Sequence, residues 1–86
     1  YMVVAATAEE QFSRWSATNS LLYLSVLDDM EPAFEQYRRQ LADQPLGPEL
    51  EGHSLQTVGM GYRRFGRFEQ AREALERSLA IAERHG

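Results

Sequence analysis

His53 with the adjoining Ser54, the acids Asp28, Asp29 and Glu31 ahead of Pro32, and the glycines Gly59, Gly61 and Gly66 are the residues whose types could support chemistry in this chain. A histidine beside a serine suggests a base and its nucleophile, but i,i+1 neighbours on a helix point apart and cannot share a proton. His53 and His85 have no metal-ligand spacing with Asp or Glu, so no metal site is expected. Two carboxylates can divide general acid and base work. Here the acids stand just before Pro32, where a solvated helix-capping cluster accounts for them. The three glycines have the wrong spacing for a GxGxxG phosphate loop, and no strand precedes them. The run Tyr62-Arg63-Arg64-Phe65-Gly66-Arg67-Phe68 interleaves basic and aromatic residues as a nucleic-acid surface does. Its aromatics Tyr62 and Phe68 fit a packed core better, and its arginines surround a turn, where an acidic peptide or a carboxylate is the more natural partner. The residues therefore read as those of a chain that is not an enzyme and carries no cofactor.

The elements that hold these residues are helices. Leu55, Val58, Gly59 and Tyr62 recur at helical spacing on one face of a first helix, Gly66 breaks the pattern, and Phe68, Ala71, Ala74, Leu75, Ser78, Leu79 and Ala82 resume it on a second. Two such stripes face each other across a short turn. Gly59 and Ala71 are small where a large side chain would hold the axes apart, with Tyr62 and Leu75 at the flanks. This stretch resembles a tetratricopeptide (TPR) repeat, a helical hairpin of about 34 residues. Leu55, Val58, Gly59, Tyr62, Gly66, Ala71 and Leu75 match that pattern, with Leu55 in place of its usual Trp and Glu83 in place of its usual Pro.

Slid by 34 residues, the chain matches itself: Ser20 falls on Ser54, Leu21 on Leu55, Leu24 on Val58, Ser25 on Gly59, and Phe34-Glu35-Gln36 on Phe68-Glu69-Gln70. Residues 18–51 thus resemble a degenerate first repeat and 52–85 a regular second one. In the first, Asp28 and Tyr37 replace the Tyr and Ala of the pattern, and the Tyr37 ring is expected to fill the space left at Asp28. Pro32 takes the place of the turn glycine. Pro45 and Pro48 should end the second helix by about Asp43, leaving a loop from Gln44 to Pro48. Ahead of the repeats, about Val3 to Ala17 is helix-prone and carries Phe12 and Trp15; Trp15 reads as a core or interface anchor, since so large a side chain seldom stays exposed, and residues 1–17 as a helix that caps the repeats or meets a second chain. Asn19 and Ser20 either begin a new helix or lie inside one long helix from about Ala8 to Met30. The expected fold is all-α, about five helices stacked as antiparallel hairpins in a TPR-like superhelix, forming one domain.

Composition is that of a globular chain, with 43% hydrophobic and 26% charged residues. Its 86 residues include no cysteine, which removes disulfides and thiolate chemistry and fits a cytoplasmic location. The net charge of −4 is concentrated before Glu51, where three arginines face eight acids. An acidic total disfavours nucleic acid and anionic membranes, and no apolar run reaches the roughly 20 residues of a membrane span. The opening Tyr-Met-Val-Val-Ala-Ala lacks the features of a signal peptide. Starting at Tyr1 and closing at Gly86, 34 residues after Gly52, the chain reads as a fragment of a longer protein, with an open last helix that a further segment or another chain would cover.

What the TPR resemblance implies is protein or peptide binding in a groove lined by the first helix of each repeat. Carried over by position, the groove presents Asn19, Leu22, Tyr23, Val26, Asp29 and Met30, then His53, Gln56, Thr57, Met60, Arg63 and Arg64. The lysine and asparagine pattern of a carboxylate clamp is absent, and Val26, Met30 and Met60 supply an adaptable apolar floor. The alternative is a regulatory or sensory dimerisation domain of a bacterial-type signalling protein, such as a transcription regulator or cyclic-dinucleotide enzyme. Phe12, Trp15 and Ile81 would then mediate self-association as a homodimer.

Overall fold

The computed structural model of the protein describes residues 7–85, and within them it is all-helical. Expectations for residues 1–6 and for Gly86 concern positions outside these. Four helices follow in order: α1 (Ala8–Leu27), α2 (Glu31–Ala42), α3 (Pro48–Arg64) and α4 (Phe68–His85). Thr7 caps α1 by accepting the Glu10 backbone N–H at 3.1 Å, and Glu9 and Glu10 favour the same end through the helix dipole. Asn19 and Ser20 do not break the helix, which runs on through both; the Thr18 hydroxyl turns back to donate to the Arg14 carbonyl at 3.0 Å and leaves the helix intact. The count is therefore four rather than about five, since the expected N-terminal helix and the first repeat helix are one. The expected borders at 17/18 and 51/52 fall inside α1 and α3.

Pro32 lies in the first turn of α2, and that helix ends at Ala42 with Asp43 as its cap, as the prolines require. Pro48 opens α3 rather than closing the loop before it. α1 pairs with α2 and α3 with α4, and α3 lies against both members of the first hairpin while α2 and α4 do not touch. The core draws Trp15, Leu22 and Val26 from α1, Phe34 and Leu41 from α2, Val58 and Tyr62 from α3, and Ala71 and Ala74 from α4. Phe34 is its centre, fully buried, edge-on to Tyr62 at 5.4 Å and tilted against Phe65 at 5.3 Å.

The two hairpin turns superpose in sequence at 37 residues, not 34. Asp28 N–H to Leu24 C=O, Met30 to Ser25, and Phe34 to Met30 are matched by Phe65 to Gly61, Arg67 to Tyr62, and Ala71 to Arg67. The left-handed residue of each turn, Asp29 at φ 55° and Gly66 at φ 78°, obeys the same offset. Asp29, not Pro32, therefore occupies the place of the turn glycine. The tripeptide match misleads because Phe34 is wholly buried whereas Phe68 is 67% exposed. Phe68 begins α4 and is no part of the core. Leu21 and Leu24, expected inside, are also half-exposed, and Leu22 and Val26 are buried in their stead. Asp28 is the exposed cap of α1, so Tyr37 fills no space on its behalf; at the observed offset Tyr37 stands where Ala74 does, and Ser25 where Tyr62 does.

Candidate helix-binding faces

Small residues set how closely α3 and α4 approach. A Cβ built on Gly59 would lie 2.8 Å from Leu75 Cγ and 3.4 Å from the Ala71 carbonyl, so the glycine stands at a close approach of the two helices, as its spacing predicts. Ala71, Ala74 and Ser78 bury the inner side of α4, and Ser78 Oγ donates to the Gly52 carbonyl at 3.0 Å. Gly61, in contrast, was legible only as part of a false phosphate loop. A Cβ there would overlap the Phe34 ring, so Gly61 is what lets α2 lodge its phenylalanine against α3.

The groove expected on the first helices is only partly present. Tyr23 is exposed on α1 and Met30 at the cap of α2, and Gln56, Met60 and Arg63 share an exposed face of α3 at helical spacing. Val26 does not join them: it is 2% exposed and belongs to the core, as does Leu22. Asn19 is half-buried, and its Oδ1 has no hydrogen-bond partner among the described residues. Arg64 is engaged within the chain, its Nε and an Nη donating to the two carboxylate oxygens of Asp29 at 2.7 and 3.1 Å. Beside it Arg67 Nε donates to Glu31 at 3.1 Å, so two ion pairs fasten the turn of one hairpin to the turn of the other. The guanidinium of Arg64 holds the Asp29 carboxyl below its ordinary range, and the Asp29 carboxylate raises Arg64 in return.

Of the self-association candidates, Trp15 is an internal anchor. It is buried, and its Nε1–H donates to Ser54 Oγ at 2.6 Å across the α1–α3 contact. Phe12, 53% exposed, lies over it with ring centroids 5.6 Å apart, and the exposed His53 ring is 6.2 Å away on the other helix. Ile81 is half-buried near Gly52.

Two concavities were not foreseen. A cleft of about 530 Å³ opens where α2 and α4 fail to meet, floored by Leu55, Val58, Tyr62 and Ala74 and rimmed by Arg38, Glu73 and Arg77. Arg38 is held by Glu35 at 2.8 Å and lies 6.0 Å from the Tyr62 ring centroid, and burial pushes the Tyr62 phenol up. On the other side, a trough of about 360 Å³ runs along α3 and α4 between Arg63, Phe68, Arg72, Leu75 and Leu79. The signal for this trough lay in the width of the α4 stripe. Ala71, Ala74 and Ser78 are buried against α3 and Leu75 reaches Gly59 with one side only, so Phe68, Leu79 and the outer side of Leu75 were left over. Among the described residues no three His, Asp or Glu side chains gather as metal ligands, and no helix is long and apolar enough to cross a membrane. No family model, curated protein or solved structure matches the chain.

Proposed function

We propose that the chain is a protein–protein interaction module built of TPR-type helical hairpins, taking a partner segment on the exposed face of α1 and α3. The observation that carries this is the placement of large apolar side chains on the outside of α1, at the turn after it, and on α3. Tyr23 and Met30 are 44% and 53% exposed, and Met60 is 40% exposed, one turn from the exposed Arg63. Exposed apolar residues are ordinary singly, but rows of them edged by polar groups mark contact surfaces. Successive hairpins, with a glycine at the close approach of α3 and α4, support the TPR likeness. The 37-residue offset is three longer than the family's unit of about 34, and the likeness is one of hairpin stacking. Selection of linear peptides from a displayed library on the immobilised chain, followed by calorimetric titration, tests this reading. Tyr23→Glu and Met60→Glu should each weaken selected peptides about tenfold or more. Failure of the folded chain to enrich any peptide would sink it.

A further inference from the structure

The offset of 37 residues identifies what the trough on the second hairpin corresponds to on the first. Arg63, Phe68, Ala71 and Leu75 stand where Val26, Glu31, Phe34 and Arg38 stand. The latter four form the surface on which α3 lies. Val26 and Phe34 are covered, the Phe34 ring meets Tyr62 and abuts Gly61, Glu31 holds Arg67, and Arg38 lies over the Tyr62 ring. The second hairpin presents the equivalent positions with no further helix across them among the described residues: Ala71 is buried by its own hairpin and floors the trough, while Phe68 is 67%, Leu75 44% and Leu79 60% exposed.

We infer that this trough docks a helix of a partner protein in the manner in which the first hairpin docks α3. The inference rests on the interaction reading but concerns a neighbouring face, which shares Arg63 with it at the edge. Its occupant follows from how bulk is distributed. On the first hairpin the large side chain, Phe34, rises from the centre, and the crossing helix yields to it with Gly61. On the second the centre is Ala71, and bulk stands at the edges as Phe68, Leu75 and Leu79. The partner helix therefore carries a large apolar residue over Ala71 and a Gly or Ala one turn away where it passes Phe68 or Leu75. Charge selects its edge. Arg72 is neutralised by Glu69 and Glu76 at 3.5 and 3.6 Å, whereas Arg63 makes no ion pair among the described residues, so a carboxylate of the partner belongs beside Arg63.

The test uses a displayed library of stapled amphipathic helices of α3's length, with the apolar row and both edges randomised, selected on the whole chain. The expected binders carry Gly or Ala beside one large apolar residue and an acid on one edge. Phe68→Glu and Leu79→Glu should each weaken them about tenfold or more, and Tyr23→Glu should leave them unchanged. Arg63→Glu should weaken them, and replacing the peptide acid by Lys should restore binding to that variant, which a merely structural role of Arg63 would not do. Circular dichroism melts confirm that each variant is folded. Helices that bind but respond to Tyr23→Glu and Met60→Glu instead would overturn the trough and leave the interaction reading standing. If the chain enriches linear peptides but no helix, the inference again fails alone. A doubled solution mass abolished by Leu79→Glu would mean a second copy covers the trough, which also overturns it.

Discussion

Gly61 and Gly59 lie two residues apart on α3 and answer to different neighbours. At Gly61 an added methyl meets the Phe34 ring, which is fully buried and has nowhere to go. Gly61→Ala should therefore lower unfolding stability by about 1–3 kcal/mol in a urea titration despite the better helix propensity of alanine. At Gly59 the obstacle is the half-exposed Leu75, whose side chain can swing outward. Alanine gains up to about 1 kcal/mol in a helix interior over glycine, so Gly59→Ala should be close to neutral in the same titration. Trp15 makes a third residue-scale case. Trp15→Phe keeps most of the apolar contact but strands the Ser54 hydroxyl, at a cost of about 1–3 kcal/mol. Adding Ser54→Ala should recover part of that loss, because the unpaired polar group is then gone. If the two changes simply add, the indole bond contributes nothing through Ser54.

Between elements, the turns are fastened by Arg64 to Asp29 and Arg67 to Glu31, both pairs open to solvent. The fastening also compensates a backbone cost, since Asp29 adopts φ 55° where its counterpart in the second hairpin is Gly66. Because Arg64 depresses the Asp29 pKa in the folded chain, the pair's contribution is present above the ordinary aspartate range and is lost as pH falls through the depressed value. Melting temperatures taken from neutral pH down through the carboxylate range should therefore fall less steeply for Arg64→Ala than for the unaltered chain. The two curves should converge at the acid end, and molar salt should shrink their separation at neutral pH. Parallel curves at every pH would show that the pair is ornamental to stability.

At the scale of the whole molecule, thinness decides what can be buried. The Cα trace measures 47 × 30 × 16 Å, so its core is a strip with Phe34 at the middle rather than a sphere. Phe34→Ala should cost about 3–5 kcal/mol. A domain of this size holds about 5–15 kcal/mol at most, so the variant should show a melt shifted far down or none at all, with both hairpins lost together. Phe68→Ser and Leu79→Ser, on the outer face, should change stability by no more than about 0.5 kcal/mol. A large loss there would mean that these side chains already have a covering partner in the folded chain.

Helical period, the glycine break at Gly66, and prolines that end one helix and open the next are local signals, and each acts through the backbone of a few neighbouring residues. For that reason the sequence by itself determined that the chain is all-helical, where the second hairpin turns, that α2 stops by Asp43, and that Gly59 marks a close approach. Burial is decided instead by what comes across from another helix. Only the tertiary structure could set the 37-residue offset over the 34-residue coincidence of Phe34-Glu35-Gln36 with Phe68-Glu69-Gln70, because it shows one phenylalanine inside and the other out. It likewise moved Val26 from surface to core, chose the core over an interface for Trp15, engaged Arg64 with Asp29, and gave Gly61 its purpose against Phe34. A helical stripe fixes which residues share a face, but the direction in which that face points depends on the rotation each helix adopts against neighbours far away in the chain.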